Sequence, residues 1–71
     1  MHNTILASTV KRLRKENRLT QEDLAIKSGV GLRFVRDLEQ GKATLRLDKV
    51  NQLLGLFNYE MQPTRINNNN K

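Results

Sequence analysis

Three glycines limit what the middle of this 71-residue chain can form: Gly29, Gly31 and Gly41 bracket the run GVGLRFVRDLEQG. Glycine suits the left-handed position that closes a helix and is accepted at an N-cap. The spacing predicts a helix that ends at Gly29 and a second one, capped by Gly31, that Gly41 terminates. Upstream, Thr20-Gln21-Glu22-Asp23 puts an acid three positions after a threonine, the pattern of a capping box. The first helix then covers residues 21–28, and both are too short to stand alone.

Apolar residues at three- and four-residue spacing predict helices on either side. Leu6, Val10 and Leu13, with Ile5 beside them, mark a first helix over residues 4–17, and Lys11, Arg12, Lys15 and Arg18 lie off that stripe. Leu47, Val50, Leu53, Leu54 and Phe57 mark a last helix; Gly55 falls inside it, where a close helix neighbour would account for it. Past Phe57 the period changes to two: Phe57, Tyr59 and Met61 alternate with Asn58, Glu60 and Gln62 until Pro63. That pattern predicts a short strand with no partner in the chain, so a second copy is the natural source of one; a tail laid on the core is the alternative. The expected organisation is a helical domain over 1–57, a strand for dimerisation over 58–64 (Tyr59, Glu60, Met61, Gln62) and a disordered Asn-rich tail over 65–71.

A chain this short buries only about 60% of its unfolded surface and usually needs a disulfide, a metal or a second subunit. With no cysteine, and a single histidine at His2, the subunit is the helper that remains, and no metal or other cofactor is expected. A catalytic role is not expected either, since no His, Cys or paired-carboxylate constellation exists. No apolar run approaches the ~20 residues of a membrane span, and the start lacks the pattern of a signal peptide, so a cytoplasmic protein is expected. Thirteen Lys+Arg against seven Asp+Glu give a net charge of +6. Such an excess suits a polyanionic partner, though a merely soluble cationic surface would look the same.

On a helical wheel Phe34, Val35 and Leu38 share one side, while Leu32, Arg33, Arg36, Asp37 and Gln40 share the other, with Glu39 at the flank. Two short helices joined by a glycine-containing turn define a helix-turn-helix, whose second helix enters the major groove of DNA. There Arg33 and Arg36 are candidates for guanine or phosphate contacts and Leu32 for a thymine methyl. Gln21, at the start of the preceding helix, is a candidate for phosphate. Simpler readings remain open: Arg33 and Asp37, four apart, can pair on a solvated face, and Leu32 can pack against the helix before it. A dinucleotide loop at Gly29-x-Gly31 fails, because no strand precedes it and Phe34 stands where the third glycine belongs.

The stretch LTQEDLAIKSGVGLRFVRDLEQGK, residues 19–42, resembles the helix-turn-helix of the phage-repressor and Cro-like (XRE) regulators. The match runs without gaps through Leu19-Thr20-Gln21, Leu24-Ala25, Gly29-Val30, Val35, Leu38-Glu39 and Gly41-Lys42. The resemblance implies an all-α, lambda-repressor-like domain of four to five short helices that binds double-stranded operator DNA as a homodimer. It implies phosphate-backbone contacts for Gln21, Gln40 and Lys42 and a groove-facing role for Leu32, Arg33, Arg36 and Asp37, with Gly31 at the edge of that face. It implies a scaffold ion pair between Arg14 and Glu39. Gly31 and Phe34 depart from the family's frequent Ser or Thr, losing a hydroxyl at each, and Arg46 replaces the usual cap of the last helix. The segment KATLRLDKVNQLLGLFNYEM, residues 42–61, is similar to the HipB-type antitoxins, which implies a HipA-like kinase toxin as partner and repression of the shared operon. A protein-interaction module that restrains a kinase, with DNA binding secondary or lost, is the alternative.

Overall fold

The computed structural model describes residues 4–66. Four helices follow one another: α1 (Thr4–Glu16), α2 (Gln21–Ser28), α3 (Leu32–Glu39) and α4 (Leu47–Gly55). His2 and the asparagine run from residue 67 lie outside the described residues.

Each helix ends for a local reason. Thr20 and Asp23 form the reciprocal capping box of α2: the Asp23 N–H donates to Thr20 Oγ1, and the Thr20 N–H donates to Asp23 Oδ2, both at 3.0 Å. Gly29 closes α2 at φ 81°. After α3, Gly41 sits at φ 82°, its N–H donating to the Leu38 carbonyl and the Lys42 N–H to the Asp37 carbonyl. That is the double hydrogen bond of a Schellman motif. α1 and α4 end the same way on non-glycine residues, Arg18 at φ 57° and Asn58 at φ 63°.

The core is a cluster of Val10 from α1, Leu24 and Val30 from α2 and its turn, Val35 and Leu38 from α3, and Val50, Leu53 and Leu54 from α4. Leu6, Ala25, Phe34, Leu45 and Phe57 pack against its edge. α3 lies against α1 and α2, and α4 against α2. Burying the helices this way supplies the stability that eight-residue helices lack by themselves.

Four sequence expectations need correction. Ile5 and Leu47 are exposed rather than at the core, because each lies at a helix end beyond the packed stripe; Ala7 takes the buried place in the first turns of α1. α1 stops at Glu16, one residue early, because Arg18 turns left-handed. Gly55 admits no close neighbour: a Cβ there would meet nothing within 4 Å. Lastly, the described residues contain no strand, and residues 59–66 have no regular secondary structure. Phe57 and Asn58, read as the start of the alternation, belong to the turn that closes α4. Beyond them no neighbouring strand among the described residues completes a ladder, and α4 takes up a backbone group instead: the Met61 N–H donates to Asn51 Oδ1 at 2.7 Å. The Tyr59 hydroxyl, followed by Glu16, raises the Arg12 pKa, so the start of this tail lies against α1.

Candidate nucleic-acid interface

The surface formed by the α2 N-terminus, the turn and the outer face of α3 is built on a buried polar anchor. Arg14, on α1, reaches the end of α3, where its Nε donates to Glu39 Oε2 at 2.7 Å and its Nη2 to Glu39 Oε1 at 3.1 Å. Its remaining nitrogen, Nη1, donates to the Leu19 carbonyl at 2.9 Å. Gln21 completes the cluster, its Nε2 donating to Glu39 Oε1 at 3.0 Å. The Glu39 side chain is only 2% exposed, yet both of its oxygens are satisfied. Arg14 and Glu39 together therefore tie α1, the loop before α2, the first residue of α2 and the end of α3 into a fixed arrangement. A buried charge is tolerated only when paired and hydrogen-bonded this fully.

Gln21, the first residue of α2, is half-buried and its amide nitrogen is held by Glu39 at the end of α3. Gly31 is exposed and serves as the N-cap of α3 with no side chain to contribute. Leu32 is half-buried and, with Ala25, Ile26 and Val30, lines a shallow apolar hollow of about 430 Å³ in the crook between α2 and α3. Its packing against α2 and its place at the edge of the polar face are thus compatible.

Arg33 is almost fully exposed and its Nε lies 3.5 Å from Asp37 Oδ1. Asp37 also faces Lys42, Nζ to Oδ2 at 3.6 Å. Arg36 is exposed too, with Nη2 3.9 Å from Glu22 Oε2 on α2. Gln40 is exposed beyond the last turn. Arg33, Arg36, Asp37, Gln40 and Lys42 thus stand together at the surface around α3, and Gln21, Gly31 and Leu32 border them. Tyr59, Glu60, Met61 and Gln62 are exposed elsewhere, along α1 and α4.

Sequence reasoning missed Glu22. It lies fourteen positions before Arg36, outside any helical pairing rule, and only the docking of α3 on α2 brings the two together. Its position one residue after Gln21, on the exposed side of a short helix, was the available signal.

The capping box is electrostatically tuned. The Thr20 N–H, and after it the Thr20 hydroxyl, holds the Asp23 carboxyl below the usual aspartate range. Asp48, bound edge to edge by Arg46 at 2.7 and 3.1 Å, is lowered in the same sense. Among the described residues no group of His, Cys, Asp and Glu could hold a metal ion, and no helix is long and apolar enough to cross a membrane.

Comparison with known proteins agrees with this geometry. A family model described as "Helix-turn-helix" matches residues 10–63, which includes every element from the middle of α1 onward. The chain is 49% identical over 49 residues to a protein of Sinorhizobium fredii named "Uncharacterized HTH-type transcriptional regulator y4mF". The alignment covers 69% of this chain and 64% of that protein's length.

Proposed function

Because this chain belongs to the helix-turn-helix family, we propose that it is a sequence-specific DNA-binding transcriptional repressor that acts as a dimer. The observation that carries this reading is the outer face of α3, where Arg33, Arg36 and Lys42 stand at the surface on a scaffold locked by Arg14 and Glu39. The net charge of +6 adds a sequence-independent attraction to the phosphate backbone. A relative named as a transcriptional regulator supports the same reading.

The finer part of the proposal is that the protein is the antitoxin of a HipA-like kinase and represses the operon the two share. Its support is the likeness of residues 42–61 to the HipB-type antitoxins. In this reading the tail at Tyr59, Glu60, Met61 and Gln62 becomes a strand only in the dimer, each copy supplying the other's ladder. Since the Met61 N–H is taken by Asn51 and N–H groups alternate sides along an extended chain, Glu60 and Gln62 would offer theirs to the partner.

Gel-shift titration with the duplex upstream of the protein's own gene is the direct test. Wild type is expected to shift it, with log K falling steeply against log salt. Arg33→Ala and Arg36→Ala should each lose about 1–3 kcal/mol where the contact is bidentate to guanine. Unchanged affinity and sequence preference in both variants would remove α3 as the reading helix. The second reading, a module that holds an enzyme without reading DNA, is favoured by the missing hydroxyls at Gly31 and Phe34. No shift at low salt, together with stable co-purification of a kinase, would select it.

A further inference from the structure

We propose that Asp37 is a positioning residue: it presents Arg33 end-on to one guanine of the target and so sets specificity without contacting a base. This rests on the reading of α3 as the helix that enters the major groove.

The two oxygens of Asp37 have different neighbours. Oδ1 lies 3.5 Å from Arg33 Nε, and Oδ2 lies 3.6 Å from Lys42 Nζ. Asp37 is held well into the surface, its side chain 25% exposed, whereas Arg33 is 88% exposed. The carboxylate is thus the more enclosed member of the pair and the arginine the one that reaches into solvent.

A guanidinium has two faces for bidentate recognition, the Nε edge and the edge made by its two Nη groups. With Asp37 on the Nε side, the edge left for a partner is the Nη pair. That fork matches the O6 and N7 acceptors that guanine presents in the major groove. A free arginine must surrender much of its rotamer freedom to reach this geometry, and one steered by a neighbouring carboxylate surrenders less.

A carboxylate facing DNA would ordinarily be repelled by the phosphates. Here one negative charge is flanked by two positive ones, so the Arg33, Asp37 and Lys42 group keeps a net positive charge. Because cations face both of its oxygens, a hydrogen bond from cytosine to Asp37 would have to compete with them. An exposed ion pair of this kind adds little to stability, but the same contact strengthens once a groove excludes water around it.

The test uses the full chain and a library of randomised duplexes. Sequences enriched by wild type define a preferred duplex. Affinities of wild type, Arg33→Ala, Asp37→Asn and Asp37→Glu are then measured for that duplex, for single-base-pair variants of it and for an unrelated duplex. Arg33→Ala locates its guanine as the base pair at which discrimination disappears. Asp37→Asn is expected to lose about tenfold of discrimination at that same base pair, while binding the unrelated duplex more tightly for want of one negative charge. Asp37→Glu, which keeps a carboxylate within reach of Arg33, is expected to restore most of the discrimination. Full discrimination by Asp37→Asn at the Arg33 base pair would overturn the proposal, as would a loss confined to a different base pair, which would make Asp37 a reader itself. If wild type enriches no sequence at all, the reading of α3 fails and the proposal falls with it, an outcome distinct from the other two.

Discussion

Arg14 and Glu39, twenty-five residues apart, meet edge to edge inside the protein, with the shorter of their two hydrogen bonds at 2.7 Å. The pair joins the first and third helices directly beneath the candidate DNA-binding face. Removing one partner leaves the other charged and buried, which typically costs about 3–5 kcal/mol. Small domains often have little more than that in total. Arg14→Ala is therefore expected to be largely unfolded at room temperature, as measured by circular dichroism and urea titration. The double variant Arg14→Met with Glu39→Leu should recover most of the loss, since it leaves neither charge unpaired.

Two glycines are expected to respond to alanine with opposite signs. Gly29 sits at φ +81°, and an added Cβ would lie 3.0 Å from Gln52 Nε2, the group that donates to the Ser28 carbonyl. The Gln52 side chain can shift, but the left-handed backbone cannot be relieved, so Gly29→Ala should destabilise by about 1–2 kcal/mol. Gly55 is helical, exposed and open around its Cβ position. Gly55→Ala should stabilise by up to about 1 kcal/mol. Thermal unfolding of both variants in one buffer checks the pair of signs.

The capping box makes the α2 N-terminus sensitive to acid. Thr20→Ala should cost about 1 kcal/mol at neutral pH. The Asp23 carboxyl is held below its ordinary value of 3.8 in the folded chain. Its contribution is thus fully present above pH 3.8 and is lost as pH falls through the lowered folded value. Asp23→Asn should be less stable than wild type at neutral pH, and the gap should close in that acidic window. Urea midpoints measured from pH 7 down to the acid transition test it.

Truncation after Phe57 removes residues 58–71 and with them every group proposed to pair across the dimer. The truncated chain is expected to sediment as a monomer where the full chain is a dimer. A truncated chain that stays dimeric at low concentration would place the interface elsewhere. In the full chain the Glu60 and Gln62 N–H groups should gain hydrogen-exchange protection as rising protein concentration favours the dimer.

What could be read ahead of the structure was local. Thr20 and Asp23, three apart, announced a cap, and Gly29, Gly31 and Gly41 bounded two helices correctly, because capping depends on residues within one turn. The resemblance over residues 19–42 pointed to the helix-turn-helix, which the family match places over most of the chain. Readings that depended on surroundings fared differently. Gly55 looked like a point of close approach and faces open space. Leu47 fitted the apolar spacing of α4 but is 59% exposed, since periodicity identifies a face without saying how far along it the neighbour extends. The alternation past Phe57 was real, yet alternation forms a strand only where another strand supplies the ladder.

By itself, then, the sequence determined where α2 and α3 begin and end, which side of α3 is polar, and the excess of positive charge. These follow from hydrogen bonds and side-chain directions that repeat within three or four residues. Only the tertiary structure decided that Glu22 faces Arg36 and that Gln21 is held by Glu39. Those contacts join separate elements. They exist because burying Val10, Leu24, Leu38 and their neighbours in one core docks the helices at particular angles, and spacing along the chain does not encode that docking one pair at a time.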